Sequence, residues 1–182
     1  MMNSLRELAK LIKQKNEIEK RISEIINRPA LIGHVGDFIA SKIFDIELVD
    51  SSAEPAIDGY FRSGKLKGKS VNIRWYPKNE RLLDIKYNKE GNTIKPDYYL
   101  VMTGDYKSLT SSKGETRPWV IKYVFLFRTS QLIEELEKRG VKIGIATSVR
   151  KELWEQAEIY PEQRNKELIL KDDQKKYLAM FA

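Results

Sequence analysis

Ala56-Ile57-Asp58-Gly59-Tyr60-Phe61 and Ser70-Val71-Asn72-Ile73-Arg74-Trp75 are two short β-type runs flanking a turn rich in glycine and lysine. Each run sets polar side chains among apolar ones, Asp58 in the first and Asn72 and Arg74 in the second. Residues i and i+2 of a strand point the same way, so Asn72 and Arg74 share a face. If the runs pair as a hairpin, Asp58 joins that face. A carboxylate, an amide and a cation converging there have the chemistry of a site built around a metal ion. The same alternation also describes the wet face of a half-exposed sheet, and spacing alone is compatible with both.

Working towards the N-terminus, Ala30 to Phe44 is predicted as a helix with the apolar stripe Ile32, Val35, Phe38, Ile39 and Ile43. Gly33 and Gly36 each cost that helix about 1 kcal/mol, so a closely approaching backbone or ligand is expected beside them. Asp37 follows at once, with His34 one turn away, and this helix is expected either to carry an acid towards the sheet or to leave it solvated. Before it, Leu8, Leu11, Lys15, Ile18, Ile22 and Ile25 recur at steps of three and four, a heptad seam interrupted by Lys15. Arg28-Pro29 closes this first helix, because proline disfavours helical backbone in the residue before it. The seam spans barely three heptads and is expected to pack on the protein's own body, with a homodimer through it as the alternative.

Towards the C-terminus, strands are predicted at Ile46 to Val49, Leu82 to Tyr87, Tyr98 to Met102, Trp119 to Phe127 and Val141 to Ala146. Asn88 to Asn92 forms a turn, and Thr103 to Pro118 a long polar loop. Helices are predicted over Ser130 to Arg139, closed by Gly140, over Lys151 to Ile159, stopped by Pro161, and near Gln174 to Phe181. The expected organisation is one α/β domain over residues 1–182. It has a long N-terminal helix in 1–28, a mixed central sheet flanked by helices in 30–160, and a charged extension in 162–182.

Composition limits the chemistry. The 182 residues suffice for one sizeable core, and 41% hydrophobic with 32% charged residues describes a globular chain. There is no cysteine, which excludes disulfides and thiolate metal sites, and a single histidine, His34, excludes a multi-histidine metal site. The metal chemistry that remains is carboxylate chemistry, suited to Mg²⁺ or Mn²⁺. No apolar run reaches the length of a membrane span, and Met1 to Glu7 lack a signal peptide's apolar core, so a cytoplasmic protein with no membrane partner is expected. A net charge of +7 and a pI near 9.4 favour polyanionic partners, nucleic acid first. Lys65, Lys67 and Lys69 crowd the hairpin turn, where they either contact phosphates or simply solvate it.

The succession of Arg28-Pro29-Ala30, Gly33-His34-Val35-Gly36-Asp37, Ile57-Asp58-Gly59 and Val71-Asn72-Ile73-Arg74 resembles the restriction-endonuclease-like fold of the PD-(D/E)xK nuclease superfamily. It is most similar to a prokaryotic branch reading Gly-Glu-x-Gly-Glu, then a Tyr-Asp strand, then Gln-Ile-Lys. The resemblance spans roughly residues 28 to 104 by motif and the remainder by order of elements. It implies that Asp58 binds a divalent metal with Asp37 as the helix acid, and that Asn72 and Arg74 occupy the positions of the second ligand and the catalytic lysine.

Two departures matter. Asn72 is neutral where an acid or glutamine is usual, and Arg74 keeps the cation but does not shed a proton near neutral pH. Lys69, at the start of the same strand, is the nearest replacement for the missing lysine. Three functions follow. The first is a nuclease-like protein with a degenerate site that binds nucleic acid, DNA foremost. The others are an active Mg²⁺-dependent endonuclease, with Arg74 on the scissile phosphate, and a protein-interaction module.

Overall fold

A computed structural model of the chain describes residues 2–50, 56–86, 95–106 and 116–182. In chain order the helices are α1 (Met2–Ile26), α2 (Ile32–Ile43), α3 (Thr129–Lys138), α4 (Lys151–Ala157) and α5 (Asp172–Ala179). The strands are β1 (Ile46–Leu48), β2 (Gly59–Phe61), β3 (Ser70–Tyr76), β4 (Leu82–Leu83), β5 (Tyr98–Thr103), β6 (Tyr123–Arg128), β7 (Thr147–Ser148) and β8 (Glu158–Tyr160). Six of these form one mixed sheet in the order β1-β2-β3-β5-β6-β8, with β3 and β5 parallel and every other neighbouring pair antiparallel. The protein is thus a mixed α/β structure with a long N-terminal helix.

All six residues of β5 are buried, because helices cover both faces of the sheet. Period-two alternation divides its strands between two cores. Val71, Ile73, Leu100, Met102 and Leu126 face α2 and α5, whereas Tyr99, Val101, Phe125 and Phe127 face α3 and α4. Trp154 of α4 anchors the second core edge-on to Phe125 and Phe127, with ring centroids 4.7 and 4.9 Å away. The C-terminal segment joins the first core through Leu170 and Leu178, and Gln174 Nε2 donates to Ile43 O at the end of α2.

Several local expectations are corrected. Val141 to Ala146 is not a strand. Ala146 adopts a left-handed φ of 56°, Gly144 N donates to Thr147 Oγ1, and Ile145 is 92% exposed, so pairing starts only at Thr147. The helix of Lys151 to Ile159 stops at Ala157. Glu158 turns extended and Ile159 enters the core as part of β8. The strand of Trp119 to Phe127 begins only at Tyr123. Pairing at Leu82 covers two residues, while Asn88 to Asn92 and most of the polar loop lie outside the described residues. The largest difference concerns α1, whose seam does not lie on the body. Leu11 is 51% and Ile18 56% exposed; among the described residues only Ile26, at its end, is fully buried, with Ile22 half-buried. Asn27 ends the helix with φ 53°, the left-handed conformation asparagine tolerates at a helix C-terminus.

Candidate functional site

The site is set by how closely α2 lies on β3. A Cβ on Gly36 would meet Trp75 Cβ at 3.1 Å, so the glycine admits the helix to the sheet. Gly33, one turn earlier, has nothing within 4 Å of its Cβ position and borders an open cleft. That cleft, of about 260 Å³, has Arg28, Gly33, His34 and Asp37 on the helical side and Val49, Asp58, Ile73, Arg74 and Trp75 on the sheet side.

Asp58 immediately precedes β2, and its backbone N–H donates to Val71 O at 2.9 Å. Its carboxylate Oδ2 then accepts from Ile73 N at 2.7 Å, continuing the ladder with a side chain. Arg74 reaches back on the same peptide segment, Nη1 donating to Ile73 O at 3.1 Å and lying 3.8 Å from Asp58 Oδ2. The two charged residues therefore bracket the amide and carbonyl of Ile73. Gly59 follows Asp58 because β1 passes so near that a Cβ would stand 2.4 Å from Glu47 O.

On the helix side, Asp37 Oδ2 accepts from Arg28 Nη1 at 3.3 Å, and His34 Nδ1 lies 3.0 Å from Pro29 O. Burial, and next the charge of Asp58, push the Asp37 carboxyl up to about 6, against the opposing pull of Arg28, His34 and Arg74. Burial also raises the Tyr99 hydroxyl, on which Arg74 and Asp58 act in opposite directions.

The structure thus brings Asp37, Asp58 and Arg74 into one cleft and leaves the other expected residues outside its wall. Asn72 is 1% exposed, which corrects the wet-face reading for it. Its Nδ2 donates to Ala56 O at 3.0 Å, and its Oδ1 has no partner among the described residues. Lys65, Lys67 and Lys69 are exposed at the far end of the hairpin. Lys69 Nζ reaches Asp97 Oδ1 at 3.4 Å, five residues and roughly 17 Å along β3 from Arg74. It does not stand in for the lysine that Arg74 replaces. Arg28, to which the sequence reading gave no role in the site, is the residue missed. Its link to Asp37 crosses a turn, and only its position just before the glycine helix hinted at a role.

The donor set does not fit a resident divalent cation. Asp37 and Asp58 are each answered by a guanidinium, the Asn72 side chain expected as a further ligand is buried outside the cleft wall, and the four charges cancel without an ion. Among the described residues, no three His, Cys, Asp or Glu side chains gather to hold a metal. No described helix is long and apolar enough to cross a membrane. Compared with protein-family models and with curated proteins, the chain matches none.

Proposed function

We propose that this protein binds nucleic acid, DNA foremost, as a restriction-endonuclease-like member with a degenerate site that holds phosphate without a metal-dependent cut. The observation that carries this reading is the pairing of both cleft carboxylates with arginines, Asp37 with Arg28 and Asp58 with Arg74. Support for the nuclease-like descent is the order of elements, a glycine helix bearing Asp37, then Asp58 at a strand start, then Arg74 on the next strand. Arg74 commits one N–H to Ile73 O, and its approach to Asp58 is longer than a hydrogen bond. Its planar fork retains donors for phosphate oxygens. The exposed Lys69 lies five residues and roughly 17 Å of extended chain from Arg74, a span of about five base pairs, with the exposed Lys65 and Lys67 in the adjoining turn, so one duplex can meet both.

The competing reading, a Mg²⁺- or Mn²⁺-dependent endonuclease, draws on one observation, the mutual repulsion of Asp37 and Asp58, which a cation would relieve. Supercoiled plasmid incubated with protein in Mg²⁺, Mn²⁺ or chelator separates the two. The expected result is retarded but uncut plasmid, with Arg74→Ala weakening retardation. Metal-dependent cleavage that disappears in Asp58→Ala refutes the degenerate reading in favour of the active one.

A further inference from the structure

Arg117, Pro118 and Trp119 stand at the carboxyl ends of the parallel strands β3 and β5, where Val120 packs against Gly104. Three aromatic side chains are exposed among the described residues, Tyr106, Trp119 and Tyr177. Tyr106 is already engaged, with the Tyr123 ring 4.9 Å and the Arg81 guanidinium 5.5 Å from its own ring. Tyr177 lies on α5. Trp119 is 41% exposed and meets Trp75, a wall residue of the Asp37–Asp58 cleft, edge-on with centroids 5.9 Å apart. Its backbone is held on both sides. Pro118 fixes the preceding φ, while Val120 O accepts from Trp75 Nε1 at 3.1 Å and the buried Ile121 donates its N–H to Phe181 O at 2.8 Å. An indole anchored in this way loses little freedom when a ligand stacks on it. Arg117, two residues earlier, is exposed and has no ion-pair partner among the described residues.

We infer that Trp119 is the stacking platform for an unpaired nucleobase beside the cleft. The inference rests on the nucleic-acid reading above and names its substrate class, nucleic acid with a single-stranded segment. Inside a continuous duplex both faces of each base are covered by its neighbours, so an indole finds a free face only where a strand is unpaired. Phosphate contacts by themselves position a nucleic acid without choosing its form, and the stacking residue supplies that choice. The cations nearby, Arg117 in the same segment and Arg74 next to Trp75 on the cleft wall, favour a nucleotide over the apolar side chain of a protein partner. A nucleotide joins a π face to an anion, and this end of the sheet offers a π face beside guanidinium groups.

Intrinsic fluorescence provides the test, because the other two tryptophans, Trp75 and Trp154, are buried. Titrating the full chain with a thymidine oligonucleotide of about twelve nucleotides should quench the emission. Trp119→Phe should remove most of that quench while keeping most of the affinity, since a phenyl ring still stacks. Trp119→Ala should weaken binding of the oligonucleotide about tenfold. The factor should be the same at low and at physiological salt, because the indole neutralises no phosphate. Retardation of relaxed closed-circular plasmid, which offers neither an end nor an unpaired base, should be unchanged. Oligonucleotide binding without a quench overturns the inference, as does an alanine variant that binds as tightly as wild type. Equal weakening of oligonucleotide and plasmid binding overturns it too, and all three results leave the nucleic-acid reading standing. A wild-type protein that binds neither probe refutes that reading and the inference with it.

Discussion

Replacing Asp37 by asparagine should make the protein more stable at neutral pH, although the change removes an ion pair. The carboxyl rises from 3.8 to about 6 in the fold, burial being the largest cause and Asp58 the next. A folded-state rise means that between these values the native protein holds a proton that the unfolded chain has released. Stability therefore falls as pH climbs through that window, by about 1.4 kcal/mol per pH unit. Over the whole window the loss approaches about 3 kcal/mol at pH 7. Asparagine has the shape of the protonated acid and cannot ionise. Urea denaturation of wild type and Asp37→Asn should give equal stabilities near pH 4, a gap opening with rising pH, and a plateau above pH 7. If the variant is less stable at pH 7, or the gap does not change with pH, the Arg28 pair outweighs burial and the reasoning fails. A gap that opens and then levels off marks an acid kept at a cost to stability, the signature of a site rather than a scaffold.

Asp58→Ala should cost about 1–3 kcal/mol in urea denaturation, because Ile73 N–H loses its acceptor beneath the cleft, whereas Asp58→Asn, which keeps an oxygen there, should cost less; equal losses would mean that charge rather than the ladder bond dominates. Joint replacement of Lys65, Lys67 and Lys69 by alanine should leave the melting temperature unchanged within error, since the ion pair of Lys69 with Asp97 is exposed, and should reduce the salt dependence of DNA binding by about 0.9 for each phosphate that is no longer neutralised. An unchanged slope in filter-binding titrations would remove the hairpin turn from the interface.

The parts legible in sequence were those where one local rule governed. Alternation over Ser70 to Trp75 and the run of Tyr98 to Met102 mark strands, and the stripe from Ile32 to Ile43 marks α2. Asp37, Asp58 and Arg74 were visible as candidates because each interrupts such a pattern. The burial of Asn72 was not legible because alternation is the same whether the polar face meets water, a ligand or a covering chain, and only tertiary structure places Ala56 O above it. Arg28 was hidden because an ion pair across a turn has no fixed spacing. The segment Val141 to Ala146 carries strand-like residues, yet a hydrogen bond from Ala146 N to Asp84 Oδ1, across 62 positions, bends it into a turn.

The absent methyl at Gly36 acts as a spacer of zero thickness between helix and sheet. Trp75 Cβ lies at the contact limit of where that methyl would stand, so the separation of Asp37 from Arg74 is regulated by one atom that is not there. Alanine there would wedge α2 outward by a few tenths of an ångström, with Asp37, the next residue, carried on the moving side and Asp58 left on the fixed one. The two halves of the cleft's charge balance are thus mounted on separate plates whose spacing a single substitution resets, without altering a charged group.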